Sequence, residues 1–509
     1  MADQLKTPVE TRPRCAAARA ASARSALDVS LVASAVVAAC ALTACAQVAP
    51  RAAFPEVQTL VAERGVPEKI RWRDGSAEDG AADDAVRRLL ATELTPDAAV
   101  QIALLNNPSV QATYEDLGVA QSDLVQAGLL KNPVFVGSVT FGNVSPGYDF
   151  DVAQTFLDLL LRPARERIAG AQLEEARLRV AGDVFALVTQ VRGAYYTLQG
   201  AEQLVDLLES VSAASAASAE LAERLHDAGN ASELELASEQ AGRQQAAADV
   251  LRAEADTIAP REDLRRLMGL SASNAAIDVP AVLPALPASD PELASLLALA
   301  NERRLELAAA RQEQTALAET LATVRQWRYV GSVDVGAMAH REQGDRNWVA
   351  GPSVSLDLPL FDQRQAEIAR LESRVRQSEL RAEALGLDVA SDVRRAHEKL
   401  QRARRLAEHD RDALIPVRER VVALSLEHYN FMLLGAFDLL TAKQAEIAAY
   451  RDYVAAIRDY WIARVELDHA VGARVGDLAP AQSDRTVRPS EDRHSTMPPE
   501  HAGHHHGGH

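Results

Sequence analysis

Between residues 329 and 358 polar and apolar side chains alternate with a period of two. Over 348–358 one face carries Trp348, Ala350, Val354, Leu356 and Leu358, and the other Gly351, Ser353, Ser355 and Asp357. Over 329–340 Tyr329, Gly331, Val333, Val335, Ala337 and Ala339 oppose a face that includes Ser332, Asp334 and His340. About ten alternating residues with aromatics near the strand ends fit a strand with lipid on one side and water on the other; an amphipathic hairpin on a soluble sheet reads the same way. Two further strands, at about 134–144 and 148–156, are mixed, with Phe135 and Phe141 beside glycines and Asp149 and Asp151 beside Ala153. From about 160 to 475 the pattern belongs to long helices, predicted over 163–227, 231–268, 363–434 and 437–472. The longest would span on the order of 100 Å, with a kink at Pro416. A helix also opens at Leu94-Thr95-Pro96-Asp97, capped by Thr95. Its apolar stripe runs through Val100, Ala103, Leu104, Leu117, Leu124 and Leu129, and Asn132-Pro133 ends it.

The order of these elements occurs twice. Val136-Gly-Ser-Val-Thr-Phe-Gly142 returns as Val330-Gly-Ser-Val-Asp-Val-Gly336, about 194 residues later. Each copy follows a helix start at Pro (Thr95-Pro96-Asp97, then Asp290-Pro291-Glu292) and precedes a long helix broken at glycine, Gly229 and then Gly435. A period this long is a duplicated half, since solenoid units run roughly 20–50 residues. Four strands cannot close a membrane barrel, whose smallest forms need about eight, and open edges are not tolerated in lipid. If these strands span a membrane, several chains share one barrel.

Composition narrows the classes. Aromatics are 4 % of 509 residues, so apolar side chains serve thin helix seams and cannot build one large globular core. A net charge of −18 disfavours nucleic acid as a partner. No window after residue 50 has the 18 or more uncharged apolar residues of a spanning helix. No catalytic motif such as Gly-x-Ser-x-Gly, His-Glu-x-x-His or a phosphate loop is present, so neither an enzyme nor a cofactor is expected. All three cysteines, Cys15, Cys40 and Cys45, lie at the N-terminus. There Arg12, Arg14, Arg19 and Arg24 precede an apolar run from Val29 to Ala44, the make-up of a secretory signal. The run ends in Leu42-Thr-Ala-Cys45, which resembles a bacterial lipobox with Cys45 as the lipidated residue. Val37-Ala-Ala-Cys40 fits less well, and an ordinary signal cut near 44–46 is the alternative. Ala46 after Cys45 favours the outer membrane by resemblance to known lipoprotein sorting.

These features resemble the TolC-type outer-membrane efflux channel family. The matching residues are Leu94-Thr95 through Ala98-Val100, Ala103-Leu104 and Asn107-Pro108; Ala127-Gly128 before Asn132-Pro133; and Leu358-Pro-Leu-Phe361-Asp362. Ala228-Gly229-Asn230-Ala-Ser-Glu-Leu marks one helical turn, and Tyr429…Gly435-Ala-Phe-Asp438-Leu-Leu, Gln444 and Leu467…Gly472 accompany the other. The resemblance covers roughly 94–476. The first hairpin's exit, Leu159-Leu-Leu-Arg162-Pro163, departs from the Pro-Leu-Phe form of the second.

The fold class this implies is mainly α with a transmembrane β-barrel portion. A long coiled-coil barrel of helices carries four strands per chain, and a homotrimer closes a twelve-stranded barrel. The implied divisions are a lipoprotein signal over 1–44, an extended arm without its own core over 45–93, a first repeat over 94–270, a linker over 271–290, a second repeat over 291–476 and a His-rich tail over 477–509. The implied partners are outer-membrane lipid, a periplasmic adaptor and an inner-membrane pump of the resistance-nodulation-division type. The chain would be a lipid-anchored outer-membrane conduit with its helical tunnel in the periplasm. A drug or organic-compound channel of the same family, and a structural coiled-coil lipoprotein, are the alternatives. Gly229 and Gly435 are expected at equivalent turns at the periplasmic tip, where an adaptor grips them beside Arg224; the competing role is plain helix termination. Threefold symmetry would make Glu235 and Asp438 acid rings at the entrance, unless they are solvated caps. The tail carries His494, His501, His504, His505, His506 and His509 with Met497, donors suited to copper, nickel or zinc. That favours metal cations as cargo; a functionless tail and a tag are the other readings.

Overall fold

The computed structural model describes residues 48–271 and 277–478, which leaves the predicted signal, Cys40, Cys45 and the His-rich tail from 479 onward outside the described residues. Helices α1 (Phe54–Ala62), α2 (Ala77–Leu90), α3 (Pro96–Asn106) and α4 (Pro108–Gly128) lead to strands β1 (Val134–Thr140) and β2 (Gly147–Thr155). The hairpin α5 (Leu157–Asp227) and α6 (Glu233–Leu267) completes the first half. The second half repeats the plan with α7 (Leu293–Arg303), α8 (Leu305–Gln326), β3 (Val333–Arg341) and β4 (Val349–Leu356). Its long helix runs as α9 (Gln365–His409), a π-helical segment (Asp410–Leu414) and α10 (Ile415–Asn430), and α11 (Ala436–Val471) returns to a short α12 (Val475–Leu478). Pro416 stands two residues beyond the end of the π turn, which absorbs the hydrogen bond that proline cannot make.

The duplication is deeper than the repeated motif suggests, and the motif itself misplaces it. Val136 is the third residue of β1, whereas Val330 lies three residues ahead of β3. The equivalent positions are breaks between helices. Asn107 separates α3 from α4 at φ −69°, ψ 120°, and Arg304 separates α7 from α8 at φ −64°, ψ 116°. Each break reaches the end of its own half's returning helix. Asn107 Nδ2 donates to Leu267 O at 2.7 Å, and Arg304 Nη1 donates to His469 O and Ala470 O at 3.1 Å each. Carbonyls that a helix end leaves without intrahelical partners are satisfied this way. The single helix expected from 94 to 131 is therefore two, because Asn107 also accepts from Ser109 N at 2.7 Å and so starts a new helix at Pro108.

One other expectation is corrected. The arm over 45–93 is no coreless extension. Val57, Val61, Trp72 and Val86 join the main core, Phe54 meets Tyr114 edge-on at 5.0 Å, and Trp72 Nε1 donates to Glu115 at 2.9 Å. Pairs of apolar residues four apart (Val57 and Val61, Ala82 and Val86) are enough to dock two short helices. Asp290 stands two residues ahead of Glu292, which caps α7 where the Asp290-Pro291-Glu292 pattern predicts a helix start. The Asp290 side chain is buried and clamps the linker, receiving Arg404 Nε at 2.7 Å, Tyr460 OH at 2.7 Å and Arg464 Nη1 at 3.4 Å. The linker itself packs through Ile277, Val279 and Leu283.

Candidate functional site

The four strands form one antiparallel sheet in the order β1-β2-β3-β4, so among the described residues β1 and β4 are open edges. The register gathers the strand aspartates on one face, with Val134, Val136, Met338 and Val349 among them, and the aromatic side chains on the other. Asp149 lies opposite both Ser138 and His340, Asp151 opposite Val136 and Met338, and Asp334 opposite Thr155 and Ser355. On this polar face Thr155 donates to Asp334 at 2.7 Å, Ser353 to Asp151 at 3.0 Å and Ser138 to Asp149 at 3.1 Å. The reverse face holds Phe135, Val139, Tyr148, Phe150, Val152, Val333, Val335, Val354 and Leu356. Phe135 and Val354 are 66 % and 71 % exposed, so nothing among the described residues packs against this apolar face. A sheet that is polar on one side, apolar on the other and open at both edges is incomplete as a monomer.

At the far end of the helices, two turns have superimposable hydrogen bonding. In the first, Ala228 N donates to Arg224 O, Gly229 N to His226 O and Asn230 N to Leu225 O. In the second the same three bonds run from Phe431 to Glu427, Met432 to Tyr429 and Leu433 to His428. The counterpart of Gly229 is thus Met432. Both are left-handed, at φ 73° and 59°. Gly435 corrects the expected equivalence: it has φ −78°, ψ 157° and stands where Ser232 stands, as the cap of the returning helix. Met432, 95 % exposed beside exposed Phe431 and Leu433, was missed because methionine rarely accepts positive φ.

Glu235 and Asp438 do occupy equivalent places, each three residues past its cap. Glu235 closes a capping box, receiving Ser232 N at 2.8 Å and Ser232 Oγ at 3.0 Å. Those hydrogen bonds hold its carboxyl below the ordinary glutamate range. Asp438 is exposed. Arg224 is exposed and pairs with Glu220 one turn back on α5. Among the described residues no three or more His, Cys, Asp or Glu converge to hold a metal ion, and no helix is long and apolar enough to cross a membrane.

A partly buried charged cluster near the waist, with Asp97 on its exposed side, was not anticipated. Glu68 from the arm faces Arg474 at 3.6 Å, and Arg474 and Arg192 each approach Asp97 at 3.3 Å. Asp468, at the end of α11, accepts from Val475 N at 3.0 Å. Burial pushes its carboxyl up to about 6 despite Arg464, Arg192 and Arg474 nearby. Burial likewise raises Glu68.

No protein-family model and no curated protein match this sequence. Solved structures do match its fold. The outer membrane protein VceC of Vibrio cholerae aligns with a TM-score of 0.61 at 17 % identity, over 74 % of this chain and 96 % of that one. The CmeC outer membrane channel of Campylobacter jejuni aligns at 0.62 and 14 %, over 81 % and 92 %. The open state of the MtrE outer membrane channel of Neisseria gonorrhoeae aligns at 0.60 and 18 %, over 74 % and 88 %. The chain has the fold of these outer-membrane channels, a helical tunnel joined to a share of a β-barrel.

Proposed function

We propose that three copies of this chain form the outer-membrane duct of a tripartite efflux pump, a passive conduit with no catalysis of its own. The observation that carries this reading is the sheet, with two unpaired edges, one apolar face and one polar face. Joining β4 of one copy to β1 of the next satisfies both edges and turns the polar faces inward. The two helical turns then lie together at the periplasmic end, where a periplasmic adaptor of an inner-membrane pump would grip Phe431, Met432 and Leu433 along with Arg224 and Gly229. Anchoring through Cys45 is supported by the Leu42-Thr-Ala-Cys45 pattern.

Metal cations are the proposed cargo. Asp149, Asp151 and Asp334 on the polar face, repeated in three copies, would raise the local concentration of cations and impede anions. The Glu235 and Asp438 positions would add acid rings at the tip, and the His-rich tail supplies donors for copper, nickel or zinc. The test is a deletion strain complemented with the full gene and challenged with copper, silver, zinc and organic drugs. Tolerance restored to metals alone supports the cation reading, and tolerance restored to drugs alone overturns it. Absence of heat-resistant trimers from outer-membrane fractions would overturn the channel itself.

A further inference from the structure

The apolar face of the sheet carries one charged side chain among its strand residues, Arg341. It lies at the end of the sheet where both hairpins turn, away from the helices, directly opposite Tyr148 in the register. Its guanidinium sits over the Tyr148 ring at 4.7 Å from the centroid and over Trp348 at 5.4 Å. The rings continue inward: Phe150 stacks on Trp348 at 5.9 Å and on Phe135 at 5.9 Å. No carboxylate of the described residues pairs with Arg341, and its Nε is buried without a hydrogen-bond partner. At the opposite rim Arg328 lies over Tyr329 at 4.4 Å, and its Nε is likewise buried and unpartnered. The 13 residue steps from Arg328 to Arg341 (341 − 328) extend to at most ~43 Å, and a barrel tilt near 45° brings this to roughly 30 Å, the thickness of a hydrocarbon core.

We infer that Arg341 is a lipid-binding site that takes the phosphate of an anionic membrane lipid at the outer rim of the barrel. A guanidinium on the lipid side cannot be left without a counter-charge at low cost. Its planar fork matches two phosphate oxygens. The flanking rings hold it in place by cation–π attraction and themselves settle at headgroup level. The lipid chains would then lie along Phe150, Phe135 and Val152. The neighbouring aspartates of β2 and β3 point to the other face, so they neither neutralise the arginine nor repel the phosphate. This rests on the outer-membrane reading of the apolar face.

The test uses the full-length trimer in neutral detergent, with native mass spectrometry to count bound lipid. Phosphatidic acid, phosphatidylcholine and inorganic phosphate are the three probes. The expected result is up to three phosphatidic acid molecules per trimer, with Arg341→Gln weakening retention about tenfold, as loss of a charge-assisted hydrogen bond would. Arg341→Lys, which keeps the charge and loses the fork, should fall between. Equal retention by wild type and Arg341→Gln would overturn the site. Equally tight phosphatidylcholine would overturn headgroup recognition, and displacement by millimolar inorganic phosphate would make it a free-phosphate site. If the protein is absent from outer membranes, the channel reading fails. A membrane-resident trimer indifferent to Arg341→Gln sinks the lipid site alone.

Discussion

Met432 carries at the second tip the left-handed backbone that Gly229 carries at the first, and the two positions differ in what that costs. A side chain there costs roughly 1–2 kcal/mol, so Gly229→Ala should lower the stability of its tip by about 1 kcal/mol and Met432→Gly should raise the other by a similar amount. Gly435 is in ordinary extended geometry, and a Cβ added there would meet only Asp438 Oδ2 at 3.7 Å. Gly435→Ser should change stability by a few tenths of a kcal/mol and leave trimers intact. Local hydrogen exchange at the tips checks all three, and a Gly435→Ser loss as large as that of Gly229→Ala would contradict the assignment. Asp468 gives a pH test. Its folded-state carboxyl, near 6, lies above the unfolded value, so the folded chain holds the proton more tightly between about pH 4 and 6. Stability from this group therefore falls as pH rises through that window and is level above it. His469, lowered chiefly by burial, works in the opposite sense on acidification, so the measurement is a difference. Asp468→Asn relative to wild type should be more favourable at pH 7 than at pH 5 by about 1 kcal/mol. A difference independent of pH would mean Asp468 is not the buried acid described.

Each half of the molecule is tied at its waist where two consecutive helices meet, in the first half by Asn107 together with Asn106, whose Nδ2 donates to Met268 O at 3.1 Å and Gly269 O at 2.7 Å. Asn107 holds the end of α6, and Arg304 holds the end of α11. Asn107→Ala should cost about 1–2 kcal/mol through lost capping, with faster amide exchange over 264–269 and little change over 467–472. Arg304→Ala should give the reverse pattern, since its bonds go to the other helix. Faster exchange at both ends from either variant would mean the waist opens as one unit and not as two clasps.

For the molecule as a whole, β1 and β4 are separated by three strand spacings, about 14 Å, so no disulfide can link them within one chain. All natural cysteines lie at or before residue 45. Pairing Ser138→Cys on β1 with Val349→Cys, Gly351→Cys or Ser353→Cys on β4 should yield, for at least one combination, covalent ladders ending at trimer in outer membranes. Ladders ending at dimer, or continuing past trimer, would refute the three-chain barrel.

The long helices, the second hairpin's faces, the cap at Thr95 and the duplication were legible in the sequence, because period and capping are local properties of the chain. The faces of the first hairpin were not. Phe135 and Gly137 alternate with Val136 and Ser138, and pairing with β2 and β3 alone settles which side is polar. The turn was misread for a related reason: glycine marks where a left-handed residue is easy, yet Met432 takes that conformation within the same hydrogen-bonded turn without one. The Asp290-Pro291-Glu292 pattern marks the start of α7 correctly, yet says nothing of what Asp290 itself binds. Only the folded chain brings Arg404 and Tyr460, more than a hundred residues away, onto its carboxylate. Short-range pattern determined which elements exist, and long-range contact decided their register, their ends and which charges are buried together.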